Sequence, residues 1–423
     1  MNERNISATI RPDSFPRLLV YTRVFPNSAQ PTYGTFVRER MFRVAQHLPL
    51  VVVAPVPWFP LQRWLRCLRP GFRPDVPYYE AQQGIEVYHP RFLSIPGLLK
   101  FTDSFFEALG SLPTLLRLRR KFRFELIDSH FGYPDGVAAW LLAKWLGQPF
   151  TITLRGTQPF TATLRGAYIL RPWICQWLTK RALRTANRVF SVSESLRQMA
   201  IHTIGIDPEQ IQVIANGVDY GKFHREDRIE CRYLLGIPQD ALVMISVGGL
   251  FERKGYHHVI ALMPKLLDRF PNLHYVIAGG PGPEGNWEER LKILAKNIGL
   301  NDRVHFLGPV SPERLRFVYS SGDLFVLATQ MEGWANVFLE ACACGLPVVT
   351  TDVGGNREVV GKPELGIIVP YGDWGTLREA IMTALGRSSW DREAIIAHGR
   401  ENSWETRIPA LVQEFCRIHT SLR

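Results

Sequence analysis

Leu324-Phe-Val-Leu-Ala-Thr-Gln-Met-Glu-Gly-Trp-Ala-Asn-Val-Phe-Leu-Glu-Ala-Cys-Ala-Cys-Gly-Leu-Pro-Val-Val-Thr-Thr351 holds an apolar run, a polar loop, a short helical stretch and a second apolar run. Leu324–Ala328 reads as a strand, and Gln330 to Ala335 as a loop at that strand's carboxyl end. Asn336 is a good helix N-cap and Gly345 a good helix stop, so the helix should run from Val337 to Cys344, with Pro347 opening the next strand. Strands that are apolar throughout, with helices between them, indicate a parallel sheet covered on both faces.

The same alternation extends in both directions. Upstream, Arg17–Phe25, Leu50–Val56, Ile85–Tyr88, Leu126–His130, Phe150–Leu154, Arg188–Val192 and Gln212–Ala215 read as strands. In the second half Val243–Gly248, His274–Ala278, Val304–Leu307 and Pro347–Thr351 join Leu324–Ala328. His257–Arg269, Glu288–Ile298 and Thr376–Leu385 carry helical periodicity. Twelve strands are too many for one comfortable open sheet, which points to two doubly wound domains. The turn at Asn216-Gly217 and the polar stretch Lys222–Arg232 place the boundary. The expected domains are residues 1–219, joined by a returning helix at about 402–423, and residues 220–401.

The chain has 423 residues, 46% hydrophobic and 21% charged, a composition that excludes extensive disorder. No apolar stretch reaches the ~18 residues of a spanning helix, and Met1–Pro16 is too polar for a signal peptide. The expected location is cytoplasmic, or peripheral on the inner face of the cell membrane. The six cysteines form no Cys-x-x-Cys pair and have no His cluster nearby, so buried, reduced thiols are expected. Residues 1–220 contain 27 Lys+Arg against 15 Asp+Glu, while the remainder contains 23 against 24. All of the +11 net charge therefore arises in the first half, which suggests an anionic partner there.

Glu332 and Glu340 flank the start of the short helix. Eight residues at ~1.5 Å each separate them by up to ~12 Å. Carboxylates acting on one glycosidic bond lie ~5–9.5 Å apart, so these two are poor partners for one scissile bond. They could grip opposite ends of a long ligand such as a nucleotide sugar, with the helix start holding its phosphates. On spacing alone, a solvent-facing glutamate and a helix-forming one fit equally well. The second signal, Ser246-Val-Gly-Gly-Leu-Phe-Glu-Arg-Lys-Gly255, is a glycine-rich strand-to-helix turn followed by cations, but it lacks P-loop spacing.

The Glu332–Glu340 segment, with its Glu-Gly, Leu-Glu-Ala and Cys-Gly-Leu-Pro-Val-Val context, resembles the Glu-x7-Glu motif of family 4 retaining glycosyltransferases. The resemblance extends roughly from Arg17 to Arg407. It implies the GT-B fold, with two Rossmann-like domains facing across a cleft and a C-terminal helix crossing back to the first domain. It also implies that Glu332 binds hydroxyls of the transferred sugar and Glu340 the ribose. Ser246–Gly255 resembles the family's Val-Gly-Arg-Leu-x3-Lys-Gly segment, with Gly249 at the Arg position, Lys254 matching and Arg253 a possible substitute. Further matches are Asn216-Gly-Val-Asp219 at the hinge, Val304–Gly308 framing the base, Gly354-Gly355 near the diphosphate and Trp404 in the crossover helix. As plain sequence these are a turn, a strand, a loop and a core aromatic.

The donor contacts implied are Gly34, Gly248, Gly249, Arg253, Lys254, Phe306, Trp334, Ala335, Asn336, Val337 and Glu340. The catalytic group implied is Glu332, Lys254, Arg155 and His130. His130 opens the acceptor-side segment His130–Gly136, and Arg155 stands in Thr153-Leu-Arg-Gly-Thr157 where many members have His-Gly. A lone His is as readily structural, while an Arg at a strand end can hold phosphate or carboxylate. No cofactor or metal is expected, because no Asp-x-Asp motif suits a metal-held diphosphate.

The expected reaction is retaining transfer from a UDP- or GDP-sugar to a glycan or a polyprenyl-diphosphate-linked acceptor, in exopolysaccharide or lipopolysaccharide assembly. The alternatives are a nucleotide-sugar epimerase or sugar phosphorylase of the same fold, and a nucleic-acid-binding protein. Zinc, RNA-recognition and helix-turn-helix signatures are all missing, which argues against the last. Leu61–Arg69, with Leu61, Trp64, Leu65 and Leu68 opposite Arg63, Arg66 and Arg69, reads as an interfacial helix or as an ordinary amphipathic one. Leu112–Phe124, and Trp173 and Trp177 with Arg171, Lys180 and Arg181, are further basic stretches that could meet an anionic membrane.

Overall fold

The computed structural model describes residues 15–68, 72–95, 99–156, 172–282, 285–387 and 389–421. Arg69, Thr157, Arg171 and the start of the chain up to Ser14 lie outside them, as does the Leu68 side chain. Two compact units emerge. The first runs to Ala215 and takes back the chain from Ile408; the second is Asn216–Arg407. Val218 pairs with Ser403, which ties the Asn216–Asp219 turn to the second unit.

The first unit contains β1 (Leu18–Tyr21), α1 (Thr35–Val44), β2 (Leu50–Val53), β3 (Val56–Trp58), α2 (Gln62–Leu68), β4 (Tyr79–Gln82), β5 (Ile85–Tyr88) and β6 (Arg91–Leu93). It continues through α3 (Asp103–Lys121), β7 (Leu126–His130), α4 (Val137–Leu146), β8 (Phe150–Leu154), α5 (Pro172–Thr185), β9 (Arg188–Ser191), α6 (Glu194–Met199) and β10 (Ile211–Val213). One sheet runs β10-β9-β8-β7-β1-β2-β5-β4, and β3 pairs with β6 in a separate ribbon. Every residue of β1, β2, β7 and β8 is buried, because helices cover both faces of the sheet. Each aliphatic side chain so buried contributes about 1.5–3 kcal/mol.

The second unit contains α7 (Arg228–Leu235), β11 (Leu242–Val247), α8 (Tyr256–Leu267), β12 (Leu273–Ala278), α9 (Glu288–Asn297), β13 (Val304–Gly308) and α10 (Pro312–Ser321). After these come β14 (Leu324–Leu327), α11 (Asn336–Ala343), β15 (Val348–Thr351), α12 (Asn356–Val360), β16 (Gly366–Val369), α13 (Trp374–Gly386) and α14 (Arg392–Glu401). Its sheet, β13-β12-β11-β14-β15-β16, is parallel throughout. Asp227, Asp373 and Asp391 cap α7, α13 and α14 through side-chain bonds to backbone N–H, about 1 kcal/mol each. The last helix, α15 (Trp404–Ser421), returns to the first unit from Ile408 onward. There Phe415 packs edge-on to Phe190 and Glu414 lies 3.2 Å from Arg188.

Sixteen strands form among the described residues rather than twelve. The extra ones are β3, β4, β6 and β16, each of three or four residues. β4 is an edge strand with an exposed, polar alternation, and it runs antiparallel to β5 through a tight turn whose Gln83 and Gly84 both have positive φ. The first sheet is therefore mixed at one edge. A second correction concerns the short helix: α11 begins at Asn336 and not after it, with Ala335 in the capping position. Asn336 does not cap, because its side-chain carbonyl accepts a bond from Asn216 Nδ2 at 3.1 Å. Cys67 also departs from expectation, being exposed while the other five thiols are buried.

Candidate functional site

In the second sheet the chain leaves β11 for β12 on one side, and β14 lies on β11's other side. The carboxyl ends of β11 and β14 therefore border a topological switch point, where loops diverge and open sheets bind ligands. The loop after β11 carries Gly248, Gly249, Arg253 and Lys254; the loop after β14 carries Thr329, Glu332 and Trp334.

These loops are laced together. Lys254 Nζ donates to Glu332 Oε1 at 2.6 Å, and Thr329 Oγ1 donates to the same oxygen at 2.9 Å. Arg253 Nη1 donates to the Met331 carbonyl at 2.7 Å and lies 3.7 Å from Glu332 Oε1. Gln330 N–H returns a bond to the Arg253 carbonyl. The Glu332 backbone is clamped from the far side: a Cβ on Gly354, at φ +53°, would lie 1.7 Å from the Glu332 carbonyl oxygen. Only glycine fits there, so the loop after β15 fixes the height of the carboxylate.

The structure also accounts for Gly249. A Cβ there would sit 2.2 Å from the ring of Phe251, which occupies the space a longer side chain would need. Arg253 lies over that same ring, 4.9 Å from its centroid, and brings its guanidinium beside Glu332. Two cations thus converge on one carboxylate. A ligand offering both phosphate and hydroxyl groups could exchange these contacts pair for pair. Gly248 continues the β-ladder by donating to Ala278.

Glu340 sits on α11, half-buried, and Tyr319 from α10 donates to its Oε2 at 2.7 Å. Burial pushes the Glu340 carboxyl up to about 7, against the lowering influence of the Tyr319 bond and Lys222. Burial, then Glu340 itself, holds Tyr319 well above the ordinary tyrosine range. Ala335 is buried, whereas Val337 and Trp334 are half-buried against the core. The Trp334 indole Nε1 is buried without a hydrogen-bond partner among the described residues. Phe306 is half-buried in β13, and the backbone beside it ends at Gly308, whose carbonyl accepts Gly279 N–H.

Gly34, His130 and Arg155 belong to the first unit. Gly34 precedes α1 at φ +73°, and a Cβ there would meet the Val24 carbonyl at 2.3 Å, so the tight turn alone requires glycine. The loop around it contributes Pro26, Asn27 and Pro31 to a hollow of about 530 Å³ that also takes Arg38, Glu80 and Gln82. His130, expected at a mouth, is fully buried at the end of β7. Its Nδ1 accepts Arg155 Nε–H at 3.0 Å, so its proton is on Nε2, 3.4 Å from Asp128 Oδ2. Burial, then Arg155 and Arg40, hold His130 well below its usual range; it is neutral and braces Arg155. Arg155 also lies 5.3 Å over the Phe36 ring.

The structure brings Glu332 and Lys254 together and places Glu340 on α11, and it adds Thr329 and Tyr319, which hold the two carboxylates and which the sequence reading did not name. No motif flags them: Tyr319 is 21 positions from Glu340 and meets it only through the packing of α10 on α11. Among the described residues, no group of three or more His, Cys, Asp and Glu side chains could hold a metal ion.

Two α/β units, one carrying paired cations and carboxylates at the switch point of a parallel sheet, define a GT-B-type protein. Residues 227–402 match the family described as glycosyl transferases group 1, and residues 65–222 match glycosyltransferase family 4. The chain is a glycosyltransferase, with a family 4-like first part and a group 1-like second part. It is 29% identical over 360 residues to a Bacillus subtilis (strain 168) protein named for teichuronic acid biosynthesis as the glycosyltransferase TuaC, covering 84% of this chain and 85% of that one. Its fold is similar to sucrose-phosphate synthase from Thermosynechococcus elongatus (TM-score 0.78, 21% identity, 96% of this chain and 100% of that one). It is also similar to Anabaena Alr3699/HepE, solved in complex with UDP (TM-score 0.69, 17% identity, 96% and 100%).

Proposed function

We propose that the chain is a retaining hexosyltransferase that takes its sugar from a UDP-sugar and builds a cell-envelope polysaccharide. The observation that carries this reading is the Lys254–Glu332 pair at 2.6 Å, held at the ends of β11 and β14 with Arg253 beside it. Support for the nucleotide comes from HepE, whose structures include UDP and UDP-glucose; support for the pathway comes from the teichuronic acid name of its B. subtilis relative.

In this reading Lys254 and Arg253 turn from Glu332 to the diphosphate and stabilise its growing charge as the bond to the anomeric carbon breaks. Glu332, released from Lys254, accepts hydrogen bonds from the sugar's hydroxyls and fixes its orientation. The acceptor hydroxyl attacks the anomeric carbon on the face the diphosphate leaves, and its proton passes to the departing phosphate oxygen. Glu340 accepts from the ribose hydroxyls. The acceptor is a glycan or a polyprenyl-diphosphate-linked glycan, and a lipid-linked acceptor implies work at the inner membrane surface.

The test is transfer from labelled UDP-, GDP- and ADP-sugars to a lipid-linked glycan extract, with the product's anomeric configuration read by NMR. A UDP-sugar transferred with its configuration kept is the expected result. Transfer with inversion, or release of the sugar without an acceptor, would overturn the reading.

A further inference from the structure

We infer that the face formed by α3, α4 and α5 of the first unit docks on an anionic phospholipid surface. α3 packs against α4, and α4 against α5. Phe105, Leu109 and Leu116 recur on α3 at helical spacing, so they form one stripe; Trp145 on α4 and Trp173 and Trp177 on α5 extend it. These six side chains are between 42% and 65% exposed, where a water-facing helix ordinarily shows polar groups. The Phe105 and Trp145 rings meet edge-on at 6.5 Å, which makes the apolar surface continuous from α3 to α4.

Charge decides what covers it. The exposed ionic side chains on the three helices are Arg117, Arg119, Arg120, Lys121, Lys144, Arg181 and Arg184. The helices carry only two acids, Asp103 and Glu107, and both are buried. None of the three helices exposes a carboxylate; of their exposed cations, Lys121 at the end of α3 is met by Glu86 of β5 at 2.5 Å. The second unit's α9 differs, since it carries its own acids, half-buried Glu288 and exposed Glu289, which pair with Lys292. Aromatic rings and leucines surrounded by cations of one sign match a bilayer interface, where indoles sit at headgroup level and each cation gains from anionic lipid. Nucleic acid would match the cations but would leave the exposed leucines without a role. α2 contributes less than the sequence suggested: Leu61 and Trp64 are exposed, but Arg66 is held by Asp75 and the Arg73 carbonyl.

The inference does not depend on the donor-site reading, and the test separates the two. The purified chain is floated with phosphatidylcholine vesicles, alone or with about one-third phosphatidylglycerol, a mixture that supplies the surface potential at issue. Two double variants are floated beside it, Leu109→Ser with Leu116→Ser and Arg119→Glu with Arg120→Glu. UDP binding and the thermal midpoint confirm that each variant is folded. Capture on the anionic vesicles only, reduced roughly tenfold or more by either variant and weakened by salt, is expected. Equal capture on both vesicle types, no capture on either, or capture undiminished in both variants overturns the inference. Binding to duplex DNA in place of vesicles overturns it as well.

Discussion

The two units use charge in opposite ways. In the second, the ionic groups at the switch point are matched locally: Lys254 and Arg253 face Glu332, and Tyr319 holds Glu340. In the first, Arg40, Asp128 and His130 are buried, half-buried Arg155 bonds to His130, and the surface of α3, α4 and α5 shows cations with no exposed acid of those helices beside them. Local matching preorganises a site for a ligand that replaces each partner, whereas surface charge of one sign suits a large anionic partner. The difference predicts that changes in the second unit reach nucleotide binding, while those in the first leave it intact.

The largest expected effect is at Lys254. Lys254→Ala removes the charge that the proposed mechanism turns toward the leaving group and should lower kcat/KM roughly 100- to 1,000-fold, by analogy with loss of one oxyanion-stabilising donor. Steady-state kinetics check it, and Arg155→Ala is the control: if that variant abolishes UDP binding, the division of labour between the units fails. Glu340→Ala comes next. Hydrogen bonds to a charged group contribute about 1.5–3 kcal/mol, so UDP affinity by calorimetry should fall roughly 10- to 100-fold. His130→Ala leaves Arg155 Nε without its acceptor; it should destabilise the fold by about 1–3 kcal/mol, read as a lower melting midpoint, with UDP affinity unchanged.

The smallest effect is a shift on the pH axis. In the proposed donor site, ionised Glu340 is the better acceptor for ribose hydroxyls, so UDP affinity should strengthen as pH rises through about 7. Tyr319 favours the ionised form, and Tyr319→Phe should move that midpoint upward; a midpoint that stays in place would remove Tyr319 from the account. Stability follows the opposite sign. The carboxyl is raised from 4.5 to about 7 in the folded protein, so the native state binds the extra proton between those values and stability declines as pH rises across that window.

How far the sequence could be read also differs between the units. Leu324–Ala328, Lys254, Glu332 and Glu340 were legible because a parallel strand, a glycine turn and a short helix each leave a local pattern. β4 and β16 were not, since one is a polar edge strand and the other is four residues opened by Gly366. Asn336 carried the composition of an N-cap, yet Asn216, 120 positions away, claims its side chain. His130 was read toward a ligand because sequence does not show that it is buried with its Nδ1 bonded by Arg155. Tyr319 and Thr329 were invisible for the same reason: their roles exist only in packing.

The central claim is that the second unit holds a nucleoside diphosphate between the Lys254–Glu332 loops and Glu340. Calorimetric titration of the purified chain with UDP, GDP and ADP, beside Lys254→Ala, Glu340→Ala and Arg155→Ala, tests it most directly. The account predicts that UDP binds, that both second-unit variants weaken binding, and that Arg155→Ala leaves it unchanged. Binding of none of the three nucleotides, or UDP binding that survives both second-unit substitutions at full strength, would contradict it.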